Sequence, residues 1–76
     1  MVIPIKLNNI EDVRNVNNFA ANYDGKSEVH GSLIMVDARS ILALMSLIGH
    51  KDLTLAFPDH SNPKHIFPML KKYNLI

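Results

Sequence analysis

Residues 35–49 read Met-Val-Asp-Ala-Arg-Ser-Ile-Leu-Ala-Leu-Met-Ser-Leu-Ile-Gly and predict the end of a strand, a tight turn and a helix. Ser40 is the predicted N-cap, because a serine side chain there accepts a hydrogen bond from a backbone N–H group that has no partner within the first turn. Gly49 follows the last apolar residue, where the end of a helix favours glycine. These two residues therefore mark the predicted ends of the helix.

The apolar residues of this helix form two stripes, and a sheet can cover only one of them. One stripe contains Leu44, Leu47 and Ile48, and the other contains Ile41, Leu42 and Met45. The spacing does not say which stripe faces the sheet. The stripe that remains exposed is a candidate site of protein interaction, since exposed apolar area on a small protein often marks such a site.

The rest of the chain predicts the order β-α-β-β-α-β-α. Strands are predicted over residues 2–7, as a pair within residues 27–36, and over residues 53–57. Gly31-Ser32 is the predicted turn of the central pair. Asp12 is the predicted N-cap of a first helix that covers Val13 to Asn22. Helices packed against an antiparallel sheet in this order predict an α+β fold.

The last helix contains a proline, which leaves its start open. Asn62-Pro63 has the pattern of an N-cap followed by proline at the first helical position. Inside a helix, Pro68 would remove one backbone hydrogen bond and clash with the preceding turn, at a cost of about 3 kcal/mol. Either the first turn is irregular, or the helix starts near Pro68 and runs to Tyr73.

Size and charge exclude several classes of function. The 76 residues are enough for one domain, predicted to cover residues 1–76, and leave no room for a second. An apolar fraction of 47% is typical of a folded protein. Eight lysine and arginine residues against seven acidic ones provide no electrostatic basis for binding nucleic acid or a membrane surface.

The chain carries no motif for a metal, a cofactor or catalysis. It has no cysteine, and its four histidines lack the spacing of metal ligands. There is no glycine-rich phosphate loop and no Ser/His/Asp grouping, so we expect neither a cofactor nor an enzyme activity. The first residues do not resemble a signal peptide, and no apolar run is long enough to span a membrane. With the absence of cysteine, these features predict a cytoplasmic protein.

Residues 37–47, Asp-Ala-Arg-Ser-Ile-Leu-Ala-Leu-Met-Ser-Leu, closely resemble the serine-site signature of the HPr family, the small histidine-containing phosphocarriers of the bacterial sugar phosphotransferase system. The likeness to the family layout extends over nearly the whole chain. It implies an HPr-like open-faced sandwich, in which three helices cover one face of a four-stranded antiparallel sheet. It also implies that Leu44 and Leu47 face that sheet.

The resemblance fails at the residue that carries the family's chemistry. A Gly-Leu-His-Ala-Arg-Pro-Ala-like motif opens the first helix in the family, and its histidine carries the phosphoryl group. With Phe19 aligned to the family's first-helix aromatic, this motif falls on residues 10–16. Asp12 then replaces the histidine, Arg14 keeps the arginine and Asn15 replaces the proline. None of the four histidines lies near this position in the sequence.

Ser40 and Asp12 each allow more than one interpretation. Ser40 is an ordinary helix cap or, as the resemblance implies, the target of a dedicated serine kinase. Asp12 is a helix cap, a permanent negative charge that imitates a phosphorylated histidine, or a phosphoryl acceptor. A carboxylate is a much poorer acceptor from phosphohistidine than an imidazole is.

Arg14 and one stripe of the second helix are candidate contacts with a partner. Arg14 is a solvated residue that pairs weakly with a neighbouring carboxylate or, as the resemblance implies, a residue that contacts partner proteins. With Leu44 and Leu47 against the sheet, the stripe left for a partner is Ile41, Leu42 and Met45.

Three functional hypotheses follow from the resemblance. The leading one is a non-enzymatic interaction module of catabolite regulation, whose expected partners are a serine kinase, a transcription regulator or components of the phosphotransferase system. A phosphocarrier of phosphoenolpyruvate-dependent sugar uptake would need unusual chemistry at Asp12. A vestigial HPr-like domain would have neither activity.

Overall fold

The computed structural model describes residues 1–59 and 63–76, and its strands and helices follow one another in the predicted order. In chain order the elements are β1 (Val2–Ile5), α1 (Ile10–Asn22), β2 (Glu28–His30), β3 (Met35–Asp37), α2 (Ile41–Ser46), β4 (Leu53–Ala56) and α3 (Pro63–Lys72). The order β-α-β-β-α-β-α is confirmed.

The strands form one antiparallel sheet in the order β1-β4-β2-β3. Successive residues of a strand point to opposite faces, so each row of paired residues belongs to one face. The apolar row that faces the helices comprises Ile3, Leu55, Val29 and Val36. The next row lies on the open face and comprises Pro4, Thr54, His30 and Met35. The structure is therefore an α+β open-faced sandwich, as predicted.

Phe19 lies at the centre of an aromatic cluster beneath the helices. Its fully buried ring stacks on Tyr23, with centroids 5.4 Å apart. It meets Phe57 and Tyr73 edge-on, at centroid distances of 5.8 and 6.2 Å. Tyr73 is therefore a packing residue. Burial raises the pKa of the Tyr23 hydroxyl above its ordinary value, and the negative charges of Asp59 and Asp24 raise it further.

The start of α1 differs from the prediction. The helix begins at Ile10 with Asn9 as its N-cap, so the placement of the cap at Asp12 is wrong. Both side chains suit an N-cap by residue type. β1 ends at Ile5, before the predicted Leu7, so the helix has room to start three residues earlier. The chain geometry between strand and helix thus selected Asn9.

The helix α3 runs continuously through Pro68 from Pro63 to Lys72, so a helix that begins only near Pro68 is wrong. Ile66 and Leu70 are buried one turn apart, whereas Pro68 is exposed. Each buried side chain contributes about 1.5–3 kcal/mol, which together offset the cost of about 3 kcal/mol for the proline. The predicted N-cap, Asn62, lies outside the described residues.

The second helix has the predicted start but ends earlier than predicted, at Ser46 and not beside Gly49. Ser40 is the N-cap of α2, the regular turns end at Ser46, and a turn of three residues leads to Gly49. Gly49 has φ +89°, in the left-handed region that glycine adopts without steric cost. Its backbone N–H donates to the Leu7 carbonyl oxygen at 2.9 Å, which ties the end of this segment to the loop before α1.

We expect Gly49→Ala to lower the free energy of unfolding by about 1 kcal/mol. A Cβ atom at this position would have no heavy atom within 4 Å, so the loss comes from the positive φ and not from a collision. Gly49→Asn is the matched control, because asparagine tolerates this conformation better than alanine does. Urea unfolding curves of the three proteins measure the difference. Equal stability of the alanine variant and the wild type would contradict this account.

Candidate functional site

Two side chains cap the N-terminus of α1 reciprocally. The Asn9 Oδ1 atom accepts a hydrogen bond from the Asp12 backbone N–H at 2.9 Å. The Asp12 Oδ2 atom accepts one from the Asn8 backbone N–H at 2.8 Å. This resembles a capping box, in which the third helical residue reaches back to the chain before the helix. Asp12 is thus the third residue of α1 and completes the cap that Asn9 begins.

Loss of either half of this cap should destabilise the protein. We expect Asn9→Ala and Asp12→Ala each to lower the free energy of unfolding by about 1 kcal/mol, and the double variant to lose less than the sum. Asp12→Asn is the control, since its amide oxygen can still accept from Asn8 without the charge. Urea unfolding measures all four variants. Additive losses in the double variant would contradict a shared cap.

The turn before α2 is held by hydrogen bonds around Ser40. The Ser40 Oγ atom accepts from the Ala43 backbone N–H at 3.4 Å, a long bond that confirms the predicted cap. The Ser40 backbone N–H donates to the Asp37 carbonyl oxygen at 3.0 Å. The Asp37 Oδ1 atom accepts from the Arg39 backbone N–H at 2.9 Å. Ser40 itself is exposed, so its hydroxyl is accessible from solvent.

One stripe of α2 is buried and the other is exposed. Leu44 and Leu47 are fully buried in the core, as the resemblance implied. The opposite stripe lies at the surface, with exposed fractions of 43% for Ile41, 78% for Leu42 and 41% for Met45. We call these three residues the apolar patch. It follows Ser40 directly in the chain.

The helices α1 and α2 pack side by side in opposite directions. At one end, the Asn17 Nδ2 atom donates to the Arg39 carbonyl oxygen at 3.0 Å. At the other end, the Gly49–Leu7 hydrogen bond joins the segment after α2 to the loop before α1. Residues three or four apart share one side of a helix, so Arg14 lies on the same side of α1 as Asn17. Arg14 is exposed and lies one helical turn from Asn17, whose side chain is bonded to the residue before Ser40.

Sequence reasoning missed Ile10, an exposed apolar residue on the same side of α1 as Arg14. Ile10 is the first residue of α1, is 51% exposed, and lies one turn before Arg14 on the same side of the helix. Because the two helices are antiparallel, Ile10 lies toward the α2 end that carries Met45. The spacing of four residues from Arg14 could have indicated this, but the predicted helix began too late to include Ile10.

The three histidines in the described ranges lie in different places. The His30 Nε2 atom is 3.1 Å from the Glu28 Oε1 atom in β2, and His65 is an exposed residue of α3. His50 lies in the loop after α2 and lines the same surface depression as Asn8, just before α1. The fold thus brings one imidazole to the loop that leads into the first helix, although the two are about forty residues apart in sequence. His60 lies outside the described residues.

Residues 1–59 and 63–76 contain no group of three histidine, cysteine or acidic side chains placed to hold a metal ion. Within the same ranges, every helix lacks the length and the apolar character needed to cross a lipid bilayer.

Comparisons with family models, with curated proteins and with solved structures found no match to this chain. The resemblance of residues 37–47 to the HPr family therefore stays a prediction.

Proposed function

We propose that this protein is an HPr-like interaction module of sugar-dependent regulation, which binds a protein partner through the apolar patch and is regulated by phosphorylation of Ser40. The observation that carries the proposal is the exposed apolar side of α2, in which Leu42 is 78% exposed two residues after an accessible serine. Contiguous exposed apolar area often marks an interaction surface on a small protein. The expected partners are cytoplasmic, so the proposal places the protein in the cytoplasm.

The environment of Asp12 supports a role other than phosphoryl transfer. One oxygen of its carboxylate accepts a hydrogen bond from the Asn8 backbone N–H, and its own backbone N–H is bonded to Asn9. Both interactions serve the helix cap. The carboxylate is also a poor acceptor from a phosphohistidine donor, so we assign to Asp12 a structural role and a fixed negative charge at the start of α1.

Phosphorylation of Ser40 would change the surface beside the apolar patch. A phosphoserine adds a charge of about −1.5 to −2 and three strong acceptor oxygens. Arg39 precedes Ser40, and its side chain is 61% exposed, with Nε 3.9 Å from the Asp37 carboxylate. A partner could then recognise a charged group and an apolar side of α2 together, with Arg14 of α1 as a further contact.

The test uses an HPr serine kinase with ATP, followed by binding to a transcription regulator of catabolite control. We expect mass spectrometry to detect one added phosphoryl group on the wild type and none on Ser40→Ala. We also expect the phosphorylated protein to bind the regulator more tightly than the unmodified one. A wild type that the kinase does not modify, or a modified protein with unchanged affinity, would refute the regulatory role.

A phosphocarrier remains the second candidate because His50, in the loop after α2, lines the same surface depression as Asn8, just before α1. The discriminating assay is incubation with the phosphotransferase enzyme and phosphoenolpyruvate, followed by a search for an acid-labile adduct. We expect no adduct. An adduct that Asp12→Ala abolishes would assign the acceptor to the carboxylate, and one that only His50→Ala abolishes would assign it to the imidazole. Absence of both the adduct and Ser40 phosphorylation would favour a vestigial domain.

A further inference from the structure

A second surface feature lies outside the apolar patch. A depression of about 390 Å³ opens between the loop after β1 and the loop after α2. Its polar lining consists of Lys6, Asn8, His50, Lys51 and Asp52. We propose that this depression binds a phosphate-class oxyanion, held by the ammonium groups of Lys6 and Lys51 and by the imidazole of His50.

Strand pairing places the two loops next to each other. Ile5 of β1 pairs with Leu53 of β4, so Lys6 and Asp52, the next residue on each side, leave the sheet at the same end. This places a cationic side chain of the first loop opposite the segment that carries His50 and Lys51. The two loops are therefore held close together by the register of the sheet, and their proximity does not require a flexible segment to move.

Backbone hydrogen bonds hold the second loop in position. The Gly49 N–H donates to the Leu7 carbonyl oxygen at 2.9 Å, and the His50 N–H donates to the Leu47 carbonyl oxygen at 3.0 Å. His50 and Lys51 lie between two residues with positive φ, Gly49 at 89° and Asp52 at 59°. The backbone that carries His50 and Lys51 is thereby defined before any ligand binds, which reduces the ordering cost of binding.

The charges in the depression favour an anion. The lining contains two lysine side chains and one carboxylate, that of Asp52. Among the described residues, neither Lys6 nor Lys51 forms an ion pair with a carboxylate. The negatively charged Asp12 lies in an adjacent depression that Lys6 also lines, and its side chain does not line this one. Donors from two loops suit the several oxygen atoms of a tetrahedral oxyanion better than the two of a carboxylate.

The site is distinct from Ser40, and its test needs no protein partner. The experiment is an NMR titration of the whole chain with inorganic phosphate at constant ionic strength. We expect the backbone amide signals of Lys6, His50 and Lys51 to shift with one common Kd. Lys51→Gln should weaken binding about fivefold, as expected for loss of one partly solvated charge. Lys26→Gln, which removes an exposed lysine that does not line the depression, should bind like the wild type.

Two further titrations identify the source of the anion and the role of His50. The first titration uses glycerol 3-phosphate, a phosphate monoester. If it shifts the amide signals of the same residues, the site is assigned to phosphorylated molecules. If only inorganic phosphate shifts these signals, the site is assigned to the free ion. Sulfate remains a dianion between pH 8 and pH 5.5, a range in which an imidazole gains charge. Lys6, Lys51, Asp52 and the neighbouring Asp12 are the other charged groups at this position. Sulfate should bind more tightly as the pH falls, and His50→Gln should remove most of that dependence.

The proposal is overturned if phosphate causes no more change at these amides than sodium chloride does, or if Lys51→Gln and Lys26→Gln weaken binding equally. Acetate should bind more weakly than phosphate, and equal binding would contradict a tetrahedral site. A pH dependence of sulfate binding that persists fully in His50→Gln would remove His50 from the proposal.

Discussion

Phe19→Ala will lower the free energy of unfolding by about 3–5 kcal/mol, the largest loss that we expect from a single truncation in this protein. The Phe19 ring is fully buried and contacts three other aromatic rings, at centroid distances of 5.4, 5.8 and 6.2 Å. Its removal deletes apolar contact and leaves a cavity where α1, β4 and the end of α3 meet. Because small proteins are stable by only about 5–15 kcal/mol, most of the margin would disappear.

Urea and thermal unfolding, followed by circular dichroism, measure this loss. Phe67→Ala is the matched control, because Phe67 is 44% exposed on α3 and should cost much less when truncated. Similar losses from the two truncations would show that the core does not centre on Phe19. A Phe19→Ala protein with an unchanged Tm would contradict the packing described here.

Leu44→Asp and Leu42→Asp should have opposite consequences, although both introduce the same charge into the same helix. Leu44 is fully buried, so a carboxylate there would be left without water or a partner, and we expect a loss of more than about 4 kcal/mol. Leu42 is 78% exposed, so its substitution should change stability by at most about 0.5 kcal/mol. Under the proposed function, Leu42→Asp should nevertheless abolish binding of the partner.

The Tm of Leu44→Asp and of Leu42→Asp measures the effect of each substitution on stability. The affinity of the Leu42→Asp protein for the catabolite regulator, after phosphorylation of Ser40, measures its effect on binding. A large drop in the Tm of Leu42→Asp would place Leu42 in the core and contradict the exposed patch. Unchanged binding by a stable Leu42→Asp protein would instead remove the patch from the interaction. The two readouts therefore separate the fold from the proposed function.

Much of the candidate site was predictable because its signals are local. Ser40 caps α2 and Gly49 adopts a positive φ, as the residue types indicated. The apolar patch was one of two stripes that the helical period made visible, and the resemblance selected the stripe that is exposed. Ile10 was missed because the start of α1 was placed too late. His50 and the loop before α1 are brought together by the long-range pairing of β1 with β4. Local sequence patterns do not reveal this pairing, so the position of His50 could not be predicted from them.

The sequence by itself determined the order of the elements, the start of α2 and the positive φ of Gly49, because hydrophobic period, cap residues and glycine conformation act within a few residues of the chain. Tertiary structure decided the start of α1 between two suitable caps and the continuation of α3 through Pro68. In each case the local alternatives differ by only a few kcal/mol, a difference that packing can reverse. Burial of Ile66 and Leu70 in the core illustrates this, since their contribution offsets the cost of the proline.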